Sequence, residues 1–207
     1  MKRYSSVIVV GVILLPLLVL AAFMFVRVRG EMCPAGGLAV SPGGREFARL
    51  KNRVWPPGPQ DFDERVSLEA LLRPGEDRGR WSESRAGRVE GYVVEVVEAG
   101  MEAANCFSDR DRDVHIHVAR RPDAPRTEWL VLEVTPRGRR GAVARGWDWS
   151  VATLKRELVG RRCRFEGWLL FDRGHADESE NTAPGARGNW RGTAWEIHPV
   201  TRIEVSE

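Results

Sequence analysis

The sequence predicts a mainly β fold, a five-stranded Greek-key barrel with one capping helix, preceded by an N-terminal transmembrane helix. Three observations predict it. Five segments between Arg88 and Val205 are rich in β-branched and aromatic residues. One helical pattern falls between the third and fourth of them. Val7–Val26 is an uncharged run of twenty residues, long enough at 1.5 Å per residue to cross a ~30 Å hydrocarbon core.

Each element has its own justification. Arg88–Val97 is apolar and β-branched, with Gly91 marking a bend or a close approach. In Asp113–Val118 polar and apolar residues alternate strictly, which sends Val114, Ile116 and Val118 to one face and Asp113, His115 and His117 to the other. Glu128–Thr135 follows and Pro136 ends it. The more apolar set Leu130, Leu132 and Val134 belongs inside, which places Glu133 outside with the histidines. Ser150 can cap a helix whose one face carries Val151, Leu154 and Leu158, and Gly160 stops it. Arg162–Asp172 alternates again, with Cys163, Phe165, Leu169 and Phe171 on one side. Thr193–Val205 is the last strand, interrupted by Pro199. Trp168 and Trp195 are expected to cover the ends of the barrel.

Upstream of the barrel the chain divides into an anchor (1–29), a tether (30–64) and the barrel domain (65–207). Gly and Pro occupy eleven of the thirty-one positions from Gly30 to Gln60, an irregular composition relieved only by a short helical pattern in Glu46–Trp55. Ser67 caps a second short helix through Leu68, Leu71 and Leu72. A cleaved signal peptide is the competing reading of the N-terminus. Its apolar core would be shorter, and Val19-Leu20-Ala21 is a poor cleavage site. Lys2 and Arg3 favour a cytoplasmic N-terminus and place the barrel outside the cytoplasm. There one cysteine pair can bridge, and Cys106 with Cys163 is the pairing expected, leaving Cys33 free.

Three strands, a helix and two strands is the order of the OB-fold, and Arg88–Val205 resembles that family. The stretches RVEGYVVEV, DVHIHV, LEVTPR, GWLLFD and NWRGTAWEIHPVT resemble, more narrowly, a group of bacterial membrane-anchored or exported proteins. That group has no assigned activity, so the resemblance implies no catalytic residues.

Charge limits the partners. The whole chain carries +3, but from Gly30 onward 28 basic residues face 29 acidic ones. Nonspecific nucleic-acid binding, which rests on excess positive charge, is therefore not expected. The span Arg137–Arg164 is locally basic, and its Arg137–Arg145 part reads as a solvated loop. The chain contains no P-loop, dinucleotide glycine motif or nucleophile elbow.

Two chemistries then compete. In a binding module, with no cofactor, the insertion Arg173–Gly192 and strands two and three form the ligand face, and Tyr92, Trp129 and Trp190 are the stacking candidates. In a metal-dependent hydrolase, His115, His117, Glu133 and His198 hold zinc or another divalent transition ion, with Asp113, His175 and Glu196 in reserve. Outward histidines on a strand are ordinarily solvated, so binding to an unknown ligand or protein partner is the leading expectation.

Overall fold

The computed structural model describes residues 33–206. The expected membrane segment Val7–Val26 lies outside them. Among the described residues no helix is long and apolar enough to cross a membrane.

Five strands close into a barrel: β1 (Ala86–Glu98), β2 (Val114–Ala119), β3 (Leu130–Val134), β4 (Arg162–Phe171) and β5 (Trp195–Val205). Their order around the barrel is β1-β2-β3-β5-β4, and β4 closes on β1. All pairings are antiparallel except β3 with β5, which run parallel through Leu132 and Ile197. This is a mixed, closed barrel consistent with an OB-like fold. Alternation does the sorting. Val114, Ile116 and Val118 of β2 and Leu130, Leu132 and Val134 of β3 fill the interior with Phe165, Leu169 and Ile197.

Two elements plug the barrel. Helix α2 (Leu68–Leu71) is capped by Ser67, whose hydroxyl accepts the Ala70 N–H, and it drives Leu68 toward β1. A Cβ on Gly91 would come within 2.5 Å of Leu68 Cδ2 and 2.7 Å of Val118 Cγ1, so the glycine is the close approach its position suggested. The expected helix after β3 is α4 (Val151–Leu158), capped by Ser150, with Leu154 and Leu158 in the core. Trp195 is buried in that core, and Trp168 packs separately with Phe62 and Ala86.

Several expectations are corrected. Arg137–Arg145 is not a loop, because Pro136–Ala144 forms a helix, α3. Thr135 accepts the Gly138 N–H and Pro136 sits at the first helical positions, a start signal strong enough to override Gly138 and Gly141. Pro199 does not interrupt β5. It falls where the β4–β5 register slips between Gly167 and Leu169, so the missing N–H costs no ladder bond. The disulfide joins Cys33 to Cys106, with Cα atoms 5.8 Å apart. Cys163 cannot take part, because it faces into the barrel between the apolar side chains of the core. Burial pushes its thiol up to about 11.

From Cys33 on, the stretch read as a tether is attached to the barrel. Helix α1 (Pro42–Lys51) is followed by buried Asn52, which donates to the carbonyls of Ala35 and Ala104. The Trp55 carbonyl accepts the Trp168 indole N–H at 3.1 Å.

Candidate functional site

The histidine ridge is neither solvated nor flat. Outside the barrel, on the shared face of β2, β3 and β5, lies a covered polar layer. Strand alternation builds it. Asp113 and His115 from β2 and its approach, Glu133 from β3, and Glu196 and His198 from β5 all point away from the apolar interior. The cover comes from the C-terminal end of α1, the turn 102–105 after β1, and the loop 172–192 after β4.

Glu133 stands at the centre. Its Oε1 is 3.1 Å from His115 Nε2, and its Oε2 is 3.2 Å from His198 Nδ1. His198 Nδ1 also lies 3.3 Å from Glu196 Oε2, while its Nε2 is 4.0 Å from Asp113 Oδ2. Asp113 accepts a bond from Asn105 Nδ2 at 3.1 Å. Lys51, the last residue of α1, pairs with Glu102 and places its Nζ 3.9 Å from Asp113 Oδ2. On the other side Arg191, fully buried, bonds Glu196 at 2.7 Å, Asp172 at 3.0 Å and the Thr193 carbonyl at 2.8 Å.

Five carboxylates thus face two fixed cations. Burial opposes ionisation of Asp113, Glu133, Asp172 and Glu196, and neighbours decide the outcome. Burial, with Glu133 and Glu102 beside it, raises the Asp113 carboxyl well above its usual range. Burial and Glu133 do the same to Glu196, outweighing Arg191. Glu133 goes the other way: against burial, His198, His115 and Lys51 hold it well below the usual range. Burial drives His198 down to about 4, so it is a neutral imidazole at ordinary pH. His115 is raised, because Glu133 outweighs its burial. The Lys51 ammonium, buried but surrounded by Glu133, Glu102 and Asp113, is also raised.

An open cleft of about 380 Å³ reaches this layer from solvent. Asp113, His115 and Glu133 form its floor, Lys51, Glu102, Asp172 and His175 its charged walls, and Phe47 and Met101 an apolar side. His175 is held by Asp172, whose Oδ2 lies 2.6 Å from its Nδ1, and that bond raises the imidazole.

The sequence candidates divide. His115, Glu133 and His198 come together as the alternation of their strands requires. His117 stands beside them but turns to other partners: its Nδ1 is 2.9 Å from Glu95, and its ring stacks on Trp129 at 5.3 Å. Trp190 closes over the same ring at 5.8 Å, and its indole N–H donates to Glu178. Trp129 donates its indole N–H to the Ala124 carbonyl at 2.9 Å. Trp129 and Trp190 therefore cover His117 and do not line the cleft. Tyr92 lies on β1 opposite Arg162 and also does not line it.

Lys51, Glu102, Asp172 and Arg191 are the residues that sequence reasoning missed. No local signal marks Lys51, Glu102 and Arg191, because each arrives from a segment without the period of a strand, and Asp172 ends the alternating run Arg162–Asp172 with nothing to show what it meets. Asp113 did carry one, sharing the alternation of His115 and His117. No family model, curated protein or solved structure matches the chain, so the narrower resemblance to a bacterial group gains no support from relatives.

Proposed function

We propose that the chain is a membrane-anchored envelope protein whose barrel is a binding module, with its ligand in the cleft over Asp113, His115 and Glu133. The observation that carries this reading is the cleft itself, open to solvent and ending on buried carboxylates. Its excess of acidic groups suits a small cationic ligand. The Lys51 ammonium already seated against Glu102 and Asp113 supports that choice, since it is the same chemistry supplied from within. Anchoring would run through Val7–Val26, with the N-terminus cytoplasmic and the barrel outside. The Cys33–Cys106 disulfide supports an oxidising compartment. Against a nucleic-acid role, the arginines of α3 are engaged within the protein: Arg137 bonds the Cys33 carbonyl, Arg139 the Arg112 carbonyl, and Arg140 pairs with Asp111.

Calorimetric titration of the full chain in detergent tests the ligand class, with putrescine as the cationic probe and glutarate as its anionic counterpart. Saturable putrescine binding that weakens in Glu133→Gln is the expected result. Glutarate binding, or none with either probe, overturns the reading. Protease added to intact spheroplasts should remove the barrel; full protection would overturn the location.

A metal-dependent hydrolase is the second reading. One observation favours it: Asp113, Glu133 and His198 offer ligand atoms that lie within 4.8 Å of one another.

A further inference from the structure

We infer that Asp113, Glu133 and His198 form a site for one borderline divalent ion such as zinc, and that the Lys51 ammonium is its built-in competitor. The inference rests on one part of the proposed function, that this cleft takes a cation, and names a divalent metal in place of the organic cation.

The geometry begins with unused atoms. His198 Nε2 and Glu133 Oε2 are buried and have no hydrogen-bond partner among the described residues, although each is a strong polar group. Of the two carboxylates beside His198 Nδ1, Glu196 makes the hydrogen bond, at 3.3 Å, while Glu133 Oε2 lies 3.2 Å away without one. The proton therefore belongs on Nδ1, and Nε2 presents a lone pair. That lone pair faces Asp113 Oδ2 across 4.0 Å. Two zinc–ligand bonds of about 2.1 Å span at most about 4.2 Å, so an ion fits between these two atoms. The three ligand atoms lie within 4.8 Å of one another, whereas tetrahedral bonds of about 2.1 Å set ligand atoms about 3.4 Å apart, so binding draws Asp113 and His198 together by roughly half an ångström and the widest pair by up to about 1.4 Å.

The surroundings are those of ligands already held in place. Asn105 Nδ2 donates to Asp113 Oδ1, His115 Nε2 lies against Glu133 Oε1, and Glu196 fixes the His198 ring. Such outer contacts orient metal ligands and set their tautomers. One imidazole and two carboxylates suit a borderline ion over a soft one. The cleft reaches Asp113 and Glu133, which leaves a path for the ion and an open position toward solvent.

Lys51 supplies the other half of the inference. Its Nζ lies 3.9 Å from Asp113 Oδ2 and pairs with Glu102, so it neutralises the same carboxylates that an ion would. A divalent ion and this ammonium repel at close range, and in a site of low dielectric both cannot be held at full strength. Entry of the ion would turn the Lys51 head toward Glu102 and the cleft mouth.

Zinc titration of chelator-stripped full-length chain by calorimetry, with cobalt as a spectroscopic substitute, tests both halves. One ion per chain is expected, with tetrahedral-type cobalt absorption. Asp113→Asn and His198→Gln should each weaken binding roughly 100-fold or more, the scale on which disturbed metal ligation is felt. Lys51→Met should tighten it by roughly tenfold, a gain that loss of folding cannot imitate. Absence of zinc and cobalt binding in both the wild type and Lys51→Met overturns the site. Binding that is indifferent to Asp113→Asn and His198→Gln overturns it as well, and so does weaker binding in Lys51→Met. Putrescine binding without metal binding would sink this inference alone, whereas metal binding without putrescine binding would sink only the organic-cation reading.

Discussion

His117 shows how much of this molecule's behaviour is set by single buried groups. Burial, outweighing its bond with Glu95, drives its pKa down to about 4, against an ordinary value near 6.5. Between those two values the unfolded chain binds a proton that the folded chain refuses. The His117 contribution to stability should therefore fall by roughly 3 kcal/mol as pH is lowered from about 6.5 toward 4, and be constant above that window. Urea midpoints measured across it should show a shallower slope in His117→Asn; an unchanged slope would assign the titration elsewhere. Arg191 carries a different kind of debt. It is fully buried against Asp172 and Glu196, and its removal strands both acids. Arg191→Met should cost about 3–5 kcal/mol, the usual penalty of a broken buried pair. Adding Glu196→Gln should restore part of it; additive losses would mean that the two residues do not act together.

At the scale of elements, local rules start helices and tertiary contacts shape strands. Gly91 on β1 admits Leu68 of α2, so Gly91→Ala forces the two together. A loss of about 2–3 kcal/mol is expected in chemical denaturation, and Leu68→Ala in the same chain should recover some of it. A simple sum of the two losses would refute the contact. Helix α3 depends on its cap, since Thr135 accepts the Gly138 N–H at 3.0 Å. Thr135→Ala should lower stability by about 1 kcal/mol, whereas a loop at Pro136–Ala144 would be indifferent to it.

Over the whole molecule, one covalent link ties the approach of α1 to the turn 102–105 that walls the cleft. Cys33 and Cys106 are 73 positions apart, and closing so long a loop removes much freedom from the unfolded chain. Reduction should cost about 4 kcal/mol on the chain-entropy account. It should also loosen the attachment of Lys51, because α1 and Asn52 pack against the turn that Cys106 ends. Thermal melts with and without reductant check the first; hydrogen exchange over 42–52 checks the second. Identical melts would show that packing alone holds this segment.

What the sequence determined by itself was whatever repeats along the chain. A period of two put Ile116, Leu132 and Ile197 inside the barrel and sent His115, Glu133 and His198 outward together. The hydroxyls of Ser67 and Ser150 start the two expected helices, because a cap is a contact within three residues. Gly91 was legible as a close approach, though not what approached. Only the tertiary structure decided that the outward ridge is roofed, that Cys33 and not Cys163 pairs with Cys106, and that Lys51 and Arg191 bracket Glu133. These facts join segments distant along the chain, and no local period records which of them meet. The physical reason lies in the charges themselves. Buried carboxylates need partners, and a chain supplies them from wherever its folded path passes, not from the neighbouring residue.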